Sequence, residues 1–335
     1  MRRTWIAALL GAAAALSIGA GRAQAAEIKP AILFDNGGKF DKSFNEGVWN
    51  GAEAFSKATG IKVQDFEPQN DSQREQALRT FAKRGNNPIL AVGFSQASSV
   101  AAVAKEYPKT HFIIIDAVVD APNVQSILFR EEQGSYLAGV LAAMAATAGK
   151  VGFVGGMDIP LIRKFACGYA QGAKSVKPDI QVLENMTGTT GAAWNDPVRG
   201  GELAKSQMEQ GANVVFAAAG ATGLGVYQAA TDAGKLAIGV DSDQNYLHPG
   251  HMLTSMVKHV DVATEDAFVA AKNGTWKPGI LVLGLKEHGV GVAIDKDNSM
   301  LITPQMKAKV EQAEAAIIAG KVQVHDYMAD NKCPM

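Results

Sequence analysis

The stretch Ala31-Ile32-Leu33-Phe34-Asp35-Asn36-Gly37-Gly38-Lys39-Phe40-Asp41-Lys42-Ser43-Phe44-Asn45 joins a short apolar run to a helix through a polar, glycine-rich turn. Residues 31–34 have strand character, and Phe44, Val48, Ala52 and Phe55 then recur at helical spacing until Gly60 stops the helix. A strand feeding a helix in this way is half of a βαβ unit. The same alternation continues from residue 31 toward the C-terminus, so a mainly parallel α/β architecture is expected.

A second unit combines a strand over 61–66 with a helix opened by the capping pattern Ser72-x-x-Glu75. A third strand over 89–92, a helix over 96–105 and a strand over 111–115 complete one series. A helix over 131–146 opens another, with strands at 151–154, 180–183, 214–217 and 236–240. Beyond Asp241 the pattern loosens into a strand over 253–257, a helix over 261–272, a hairpin over 280–294 and a last helix over 303–319. These pieces are too few for a third domain. They are expected to complete two similar lobes, an N-terminal one of 26–126 plus about 255–285 and a C-terminal one of 127–254 plus about 286–335. Repeated crossings between lobes make a hinge, and hinged lobes close on ligands.

The chain has 335 residues, about two ordinary domains. Arg2 and Arg3 precede an apolar, Ala-rich stretch over 5–20, and Ala23-Gln24-Ala25 follows. That order predicts a signal peptide over 1–25, cleaved after Ala25 or Ala26, in preference to an uncleaved anchor. No Cys stands near that site, so the expectation is a periplasmic protein without a lipid anchor. Removing Arg2, Arg3 and Arg22 leaves a formal charge of about −4, and no clustered basic face suggests a nucleic-acid partner. The two cysteines, Cys167 and Cys333, are free to pair in an oxidising compartment. The alternative is two unrelated thiols. A bridge is the expectation, docking the tail near the helix over 161–176.

Ligands of parallel α/β sheets lie beyond the carboxyl ends of strands. Those positions hold Asp35 and Asn36, then Gly93, Phe94 and Ser95, then Asp116, Gly155 and Gly156, Gly220, and Asp241. Any one such Asp is as well explained by capping or turn formation, but three in one series favour a site. There is no G-x-S-x-G elbow, H-E-x-x-H helix or G-x-x-x-x-G-K-[ST] loop, and 220–225 has the wrong glycine spacing for a dinucleotide loop. His248 and His251, beside Pro249 and Gly250, read as a surface turn in preference to a metal site. No cofactor is expected. Phe44 reads as core by periodicity, and equally as a stacking platform by its place in the helix's first turn.

The run Asp35-x-Gly37-Gly38-x-x-Asp41-Lys42-Ser43-Phe44-Asn45 resembles the basic membrane protein family of substrate-binding proteins, also called the purine-nucleoside receptor or Med family. Supporting segments are Phe129 to Gly139, Val151 to Gly156, Gly168 to Ala173, Trp194-Asn195-Asp196-Pro197 and Thr254 to Lys258, spanning nearly the whole mature chain. The resemblance implies a type I periplasmic-binding-protein fold, two doubly wound parallel-sheet lobes joined by a hinge. It implies a non-enzymatic protein that hands a purine nucleoside or base to an ABC permease of the inner membrane and its ATPase. Carried over to this chain, it implies base stacking by Phe44, hydrogen bonds from Asn45 and Asp116, ribose contacts from Asp241 and Lys258, and close backbone approach at Gly220. Asn36 and Phe94 are weaker candidates from their strand-end positions. Trp194 stands where many relatives have Phe, and the expectation is that it and Phe44 close on opposite faces of a base. The rival arrangement packs Phe44 with Val48 and Phe55 while Trp194 covers a mobile loop over 185–197. Other ligands of the same fold, a sugar or a flavin, and a nucleoside hydrolase are the alternative readings.

Overall fold

A computed structural model describes residues 28–334; the expected signal peptide lies outside them. Two six-stranded sheets form the framework. The first holds β1 (Ala31–Leu33), β2 (Gln64–Phe66), β3 (Ile89–Ala91), β4 (Phe112–Ile115), β5 (Val124–Phe129) and β11 (Gly279–Leu283), in the order β11-β5-β4-β3-β1-β2, all parallel. The second holds β6 (Lys150–Met157), β7 (Gln181–Gly188), β8 (Val214–Ala218), β9 (Leu236–Asp241), β10 (Met252–Lys258) and β12 (Val290–Val292), in the order β12-β10-β9-β8-β6-β7, with only β12 antiparallel. Strands β1, β3 and β4 are buried along their whole length. That is the mark of a parallel strand covered on both faces.

Helices α1 (Phe44–Thr59), α2 (Ser72–Lys83), α3 (Ala97–Glu106) and α8 (Val260–Lys272) cover the first sheet, with α1 against α8 and α2 against α3. Around the second sheet lie α4 (Glu131–Ala145), α5 (Pro160–Val176), α6 (Pro197–Glu209), α7 (Gly223–Asp232) and α9 (Pro304–Ile318). Helices α4 and α5 pack closely, for a β-carbon added at Gly139 would overlap the Tyr169 carbonyl and one at Gly172 the Tyr136 carbonyl. Small residues let the two backbones meet. One apolar cluster runs continuously from Phe34, Phe55 and Ile115 through Phe129 and Leu137 to Phe153 and Tyr169, so the lobes share a core at their junction. No helix among the described residues is long and apolar enough to cross a membrane.

Several expectations need correction. Residues 280–294 are not a hairpin: β11 pairs with β5 in the first sheet and β12 with β10 in the second, so the two runs belong to different lobes. The strand β5 was not foreseen, because Gln125 and Ser126 break its apolar run. Sheet membership moves the lobe boundaries as well. The first crossing follows Phe129, where β5 ends, not 126, and the second follows Lys258, where β10 ends, not 254. Ser72 does not cap α2; its hydroxyl bonds Asn70 Oδ1 at 2.5 Å, and Asp71 occupies the cap position. The loop over 185–197 is ordered by hydrogen bonding, since β7 extends to Gly188 and a single helical turn follows at Gly191–Trp194.

Cys167 on α5 is bonded to Cys333. The tail is further held where Gln171 Nε2 donates to the His325 carbonyl at 3.1 Å and His325 N donates to Gln171 Oε1 at 2.9 Å. Protein unfolded without reductant is therefore expected to show no reactive thiol, and Cys333→Ser to lose about 2–4 kcal/mol of stability. Two titratable thiols per monomer would show that the tail is not bridged.

Candidate binding cleft

The carboxyl ends of the strands of both sheets face each other across one cleft, which contains about 580 Å³ of space not filled by protein, part of it open to solvent. Asp35, Asn36, Phe44, Asn45, Phe94, Asp116, Trp194, Gly220, Asp241 and Lys258 all line it. Asp41 and the apolar side chains Leu161, Ile162 and Phe165 line it too, and the sequence reading did not select them. The last three stand on the first turns of α5, after the long strand β6. Phe44 stands on the first turn after β1, so the same positional rule applied to the second lobe would have found them.

The loop of residues 35–45 is built by its own hydrogen bonds. Asp35 Oδ1 accepts from Arg74 Nη2 at 3.1 Å, Ser95 Oγ at 2.7 Å and the Asn36 amide at 2.8 Å. Gly93, at φ 92°, passes so close that any β-carbon would overlap Asp35 Oδ2. Asp41 accepts from the Ser43, Asn45 and Glu46 amides at 2.8–3.1 Å, satisfying free donors at the start of α1. Burial nevertheless raises the pKa of both Asp35 and Asp41. The Asn45 amide is engaged at both ends: Oδ1 accepts from Asp35 N at 3.1 Å, and Nδ2 donates to Asn36 O at 3.3 Å and Asp41 Oδ2 at 3.1 Å. Asn45 thus holds the loop, and the Asn36 side chain at the cleft is the freer amide of the two.

The walls are aromatic and apolar. Phe44 and Phe94 come from the first lobe, Trp194 and Phe165 from the second. The Trp194 indole lies against Gly156 at the end of β6, where an added β-carbon would overlap its six-membered ring. Its own turn is pinned by Thr222, whose hydroxyl donates to Ala193 O and accepts from Asp196 N, both at 2.8 Å. Gly220, at φ 57°, lets the backbone approach that turn, with an added β-carbon only 3.3 Å from Trp194 O. Phe44 and Trp194 both pack on the central core as well as facing the cleft.

A polar pole closes one end. Asp116 and Asp241, at the ends of β4 and β9, both take the left-handed backbone conformation at φ 68° and 62°, a strained state that tends to occur at functional sites. Lys258 Nζ donates to the two Asp116 oxygens at 2.8 and 2.6 Å and lies 3.0 Å from Glu131 Oε1. The rings of Phe44, Phe129 and Phe165 stand 5.0, 5.1 and 5.8 Å from the ammonium. Asp241 Oδ2 accepts from Ser43 Oγ at 2.5 Å, which ties the lobes together with Gln244 Nε2 donating to Lys42 O at 2.8 Å. Burial alone would discharge Lys258, but Asp116, Glu131 and Asp241 outweigh it and keep the lysine protonated. One ammonium cannot balance three carboxylates. Burial therefore pushes both Asp116 and Asp241 up to about 6 despite the pull of Lys258.

Outside the cleft, His251 Nδ1 is 3.0 Å from Lys235 O in a turn. Among the described residues no group of three or more His, Cys, Asp or Glu side chains is arranged for a metal.

Residues 28–327 match the family model described as ABC transporter substrate-binding protein PnrA-like. The chain is 33% identical over 321 residues, 89% of each chain, to the ABC transporter nucleoside-binding protein BmpA of Lactococcus lactis. It is 39% identical over 284 residues, 80% of this chain and 69% of the other, to an uncharacterized lipoprotein of Pyrococcus horikoshii. Among solved structures, an ABC transporter solute-binding protein of Aeropyrum pernix superposes with a TM-score of 0.82 at 28% identity, covering 89% of this chain and 93% of that one.

The surplus carboxylate gives a test. Asp241 keeps its proton up to about 6 in the folded chain against an ordinary 3.8, so its ionised form destabilises the ligand-free fold above about pH 6 and has no effect below about pH 4. Asp241→Asn is expected to melt higher than the parent at about pH 7.5, with the difference vanishing near pH 4. Equal melting at the higher pH would show that Asp241 is not a surplus charge.

Proposed function

Given that the chain belongs to the PnrA-like family of ABC-transporter substrate-binding proteins, we propose that it binds a purine nucleoside or purine base in the interlobe cleft and delivers it to an ABC permease and its ATPase. The observation that carries this reading is a single cleft lined by the aromatic rings of Phe44, Phe94, Phe165 and Trp194 together with a cluster of surplus carboxylate. A purine is flat and weakly hydrated on its faces, so Phe44, Phe94 and Trp194 suit it. Base–aromatic stacking contributes about 1–3 kcal/mol per platform. Ribose hydroxyls are neutral donors, which Asp116 and Asp241 need. Among the described residues lining the cleft, a phosphate group would meet carboxylates and no free cation, since Asp116 and Glu131 engage Lys258 and Arg74 is engaged by Asp35.

The reading includes no chemistry on the ligand. It also makes the protein periplasmic, secreted by loss of residues 1–25. Relatives from Pyrococcus are named lipoproteins, whereas Cys167 and Cys333, the two cysteines here, are bonded to each other. The proposal is therefore a protein free of a lipid anchor.

Mass spectrometry of the small molecule that co-purifies with the protein should find an unmodified nucleoside or purine. A flavin or a sugar would replace the ligand assignment, and hydrolysed product would replace the binding-protein reading. In calorimetry, Phe44→Ala and Trp194→Ala should each weaken nucleoside binding by about 1–3 kcal/mol. Asp241→Ala should cost about 1.5–3 kcal/mol for the nucleoside and little for the free base; equal loss for both would remove the ribose assignment. Fluorescence offers a further check, because Trp49 sits under Lys39 Nζ at 3.2 Å and Trp276 stacks on His111 at 4.1 Å, both outside the cleft. Trp194→Phe should abolish most of the ligand-induced change while retaining affinity.

A further inference from the structure

Beneath the polar cluster, five buried side chains alternate between acid and base: Asp116, Lys258, Glu131, Lys164 and Glu132, none of them more than 8% exposed, the last with its carboxyl pushed up to about 7 by burial. Glu131 bridges the two cations, with Oε1 3.0 Å from Lys258 Nζ and Oε2 2.9 Å from Lys164 Nζ. Lys164 Nζ also donates to the Phe129 carbonyl at 2.8 Å and lies 3.2 Å from Glu132 Oε2. Asp326 of the tail, 3.7 Å from Lys164, ends the series. The row follows the hinge. Phe129 and Glu131 flank the first crossing between lobes, and Lys258 ends the strand before the second.

We infer that Glu131 is a positioning residue for the cleft: it shares the Lys258 ammonium with Asp116, so that Lys258 neutralises Asp116 less completely than it would without Glu131 and Asp116 keeps a demand for a ligand donor. Were Glu131 uncharged, Lys258 would answer to Asp116 by direct contact and to Asp241 only through its field, and a like charge would leave the neighbourhood. Both changes favour the ionised Asp116. Lys164 makes the arrangement tenable, since burial opposes a charged Glu131 but Lys258 and Lys164 together outweigh it and hold its pKa below the ordinary value. The charged groups facing Asp116 are Lys258 from β10, Glu131 from α4 and Asp241 from β9. Those facing Lys164 are Glu131, Glu132 and Asp326.

The consequence for binding rests on the proposed ligand site, but the test does not. In the ligand-free full chain labelled with carboxyl-¹³C aspartate, the Asp116 resonance is identified by its loss in Asp116→Asn and titrated by NMR. Its midpoint, about 6 in the parent, is expected to fall by about one pH unit or more in Glu131→Gln. Glu131→Asp should restore part of the difference. The double variant Glu131→Gln/Lys164→Gln removes a matched pair of charges, guards against misfolding of the single variant, and should show the same downward direction. A midpoint that stays or rises in whichever variant folds overturns the inference. Failure of both variants to fold also overturns it, because Glu131 would then serve the hinge alone. If no nucleoside binds but the midpoint moves, the ligand reading fails and the positioning role stands.

Discussion

The Lys258 ammonium stands where the lobes meet, and much of the cleft's geometry follows from its facing three buried carboxylates. Asp116 reaches it from the first lobe, Glu131 from the hinge, and Asp241 shares its field from the second lobe. Removing such ions from water costs several kcal/mol apiece, so a cluster of this kind is poor evidence of a stabilising device. Its excess of negative charge is better understood as an unmet demand for donors. The rings of Phe44, Phe129 and Phe165 surround the ammonium at 5.0–5.8 Å.

Preorganisation around the cluster is extensive. The αL conformations of Asp116 and Asp241 are of a kind that costs about 1–3 kcal/mol each, sustained by the sheets that end in them. Gly93 and Gly156 are fixed by close approach, one to the Asp35 carboxylate and one to the Trp194 indole. Asp41 and Asn45 lock the first-lobe loop from within. Each wall is therefore rigid within its own lobe. What sets the relation between lobes is the crossings after Phe129, Lys258 and Leu283, the shared apolar core, the Asp116–Lys258 pair and polar contacts between Ser43 or Lys42 and residues 240–244.

Much of this was legible in the sequence. Strand ends could be located from apolar runs bounded by polar residues, and parallel topology puts all such ends at one edge of each sheet, so Asp35, Asn36, Phe94, Asp116, Gly220 and Asp241 converge on one cleft, which Phe44, Asn45, Trp194 and Lys258, added by the family resemblance, line as well. Leu161, Ile162 and Phe165 do not follow a strand directly but stand on the first turns of α5, where periodicity alone reads them as core. Strand β5 escaped because Gln125 and Ser126 interrupt it; Ser126 Oγ in fact accepts from the Val119 amide, seven residues earlier, at 3.0 Å. The false hairpin had a different origin. Two short apolar runs separated by a turn look alike whether they pair with each other or with strands more than thirty residues earlier in different sheets.

By itself the sequence determined the α/β alternation, two lobes and the strand-end positions of the candidate site, because these depend on periodicity and on residues adjacent in the chain. Only the tertiary structure decided what each side chain does there. It turned Asn45 inward to hold its loop, gave Asp35 to Arg74 thirty-nine residues away, and set Lys258 between Asp116 and Glu131. The partner of a buried charge is chosen by distance in space, and the crossings of the hinge bring together residues that no local pattern connects.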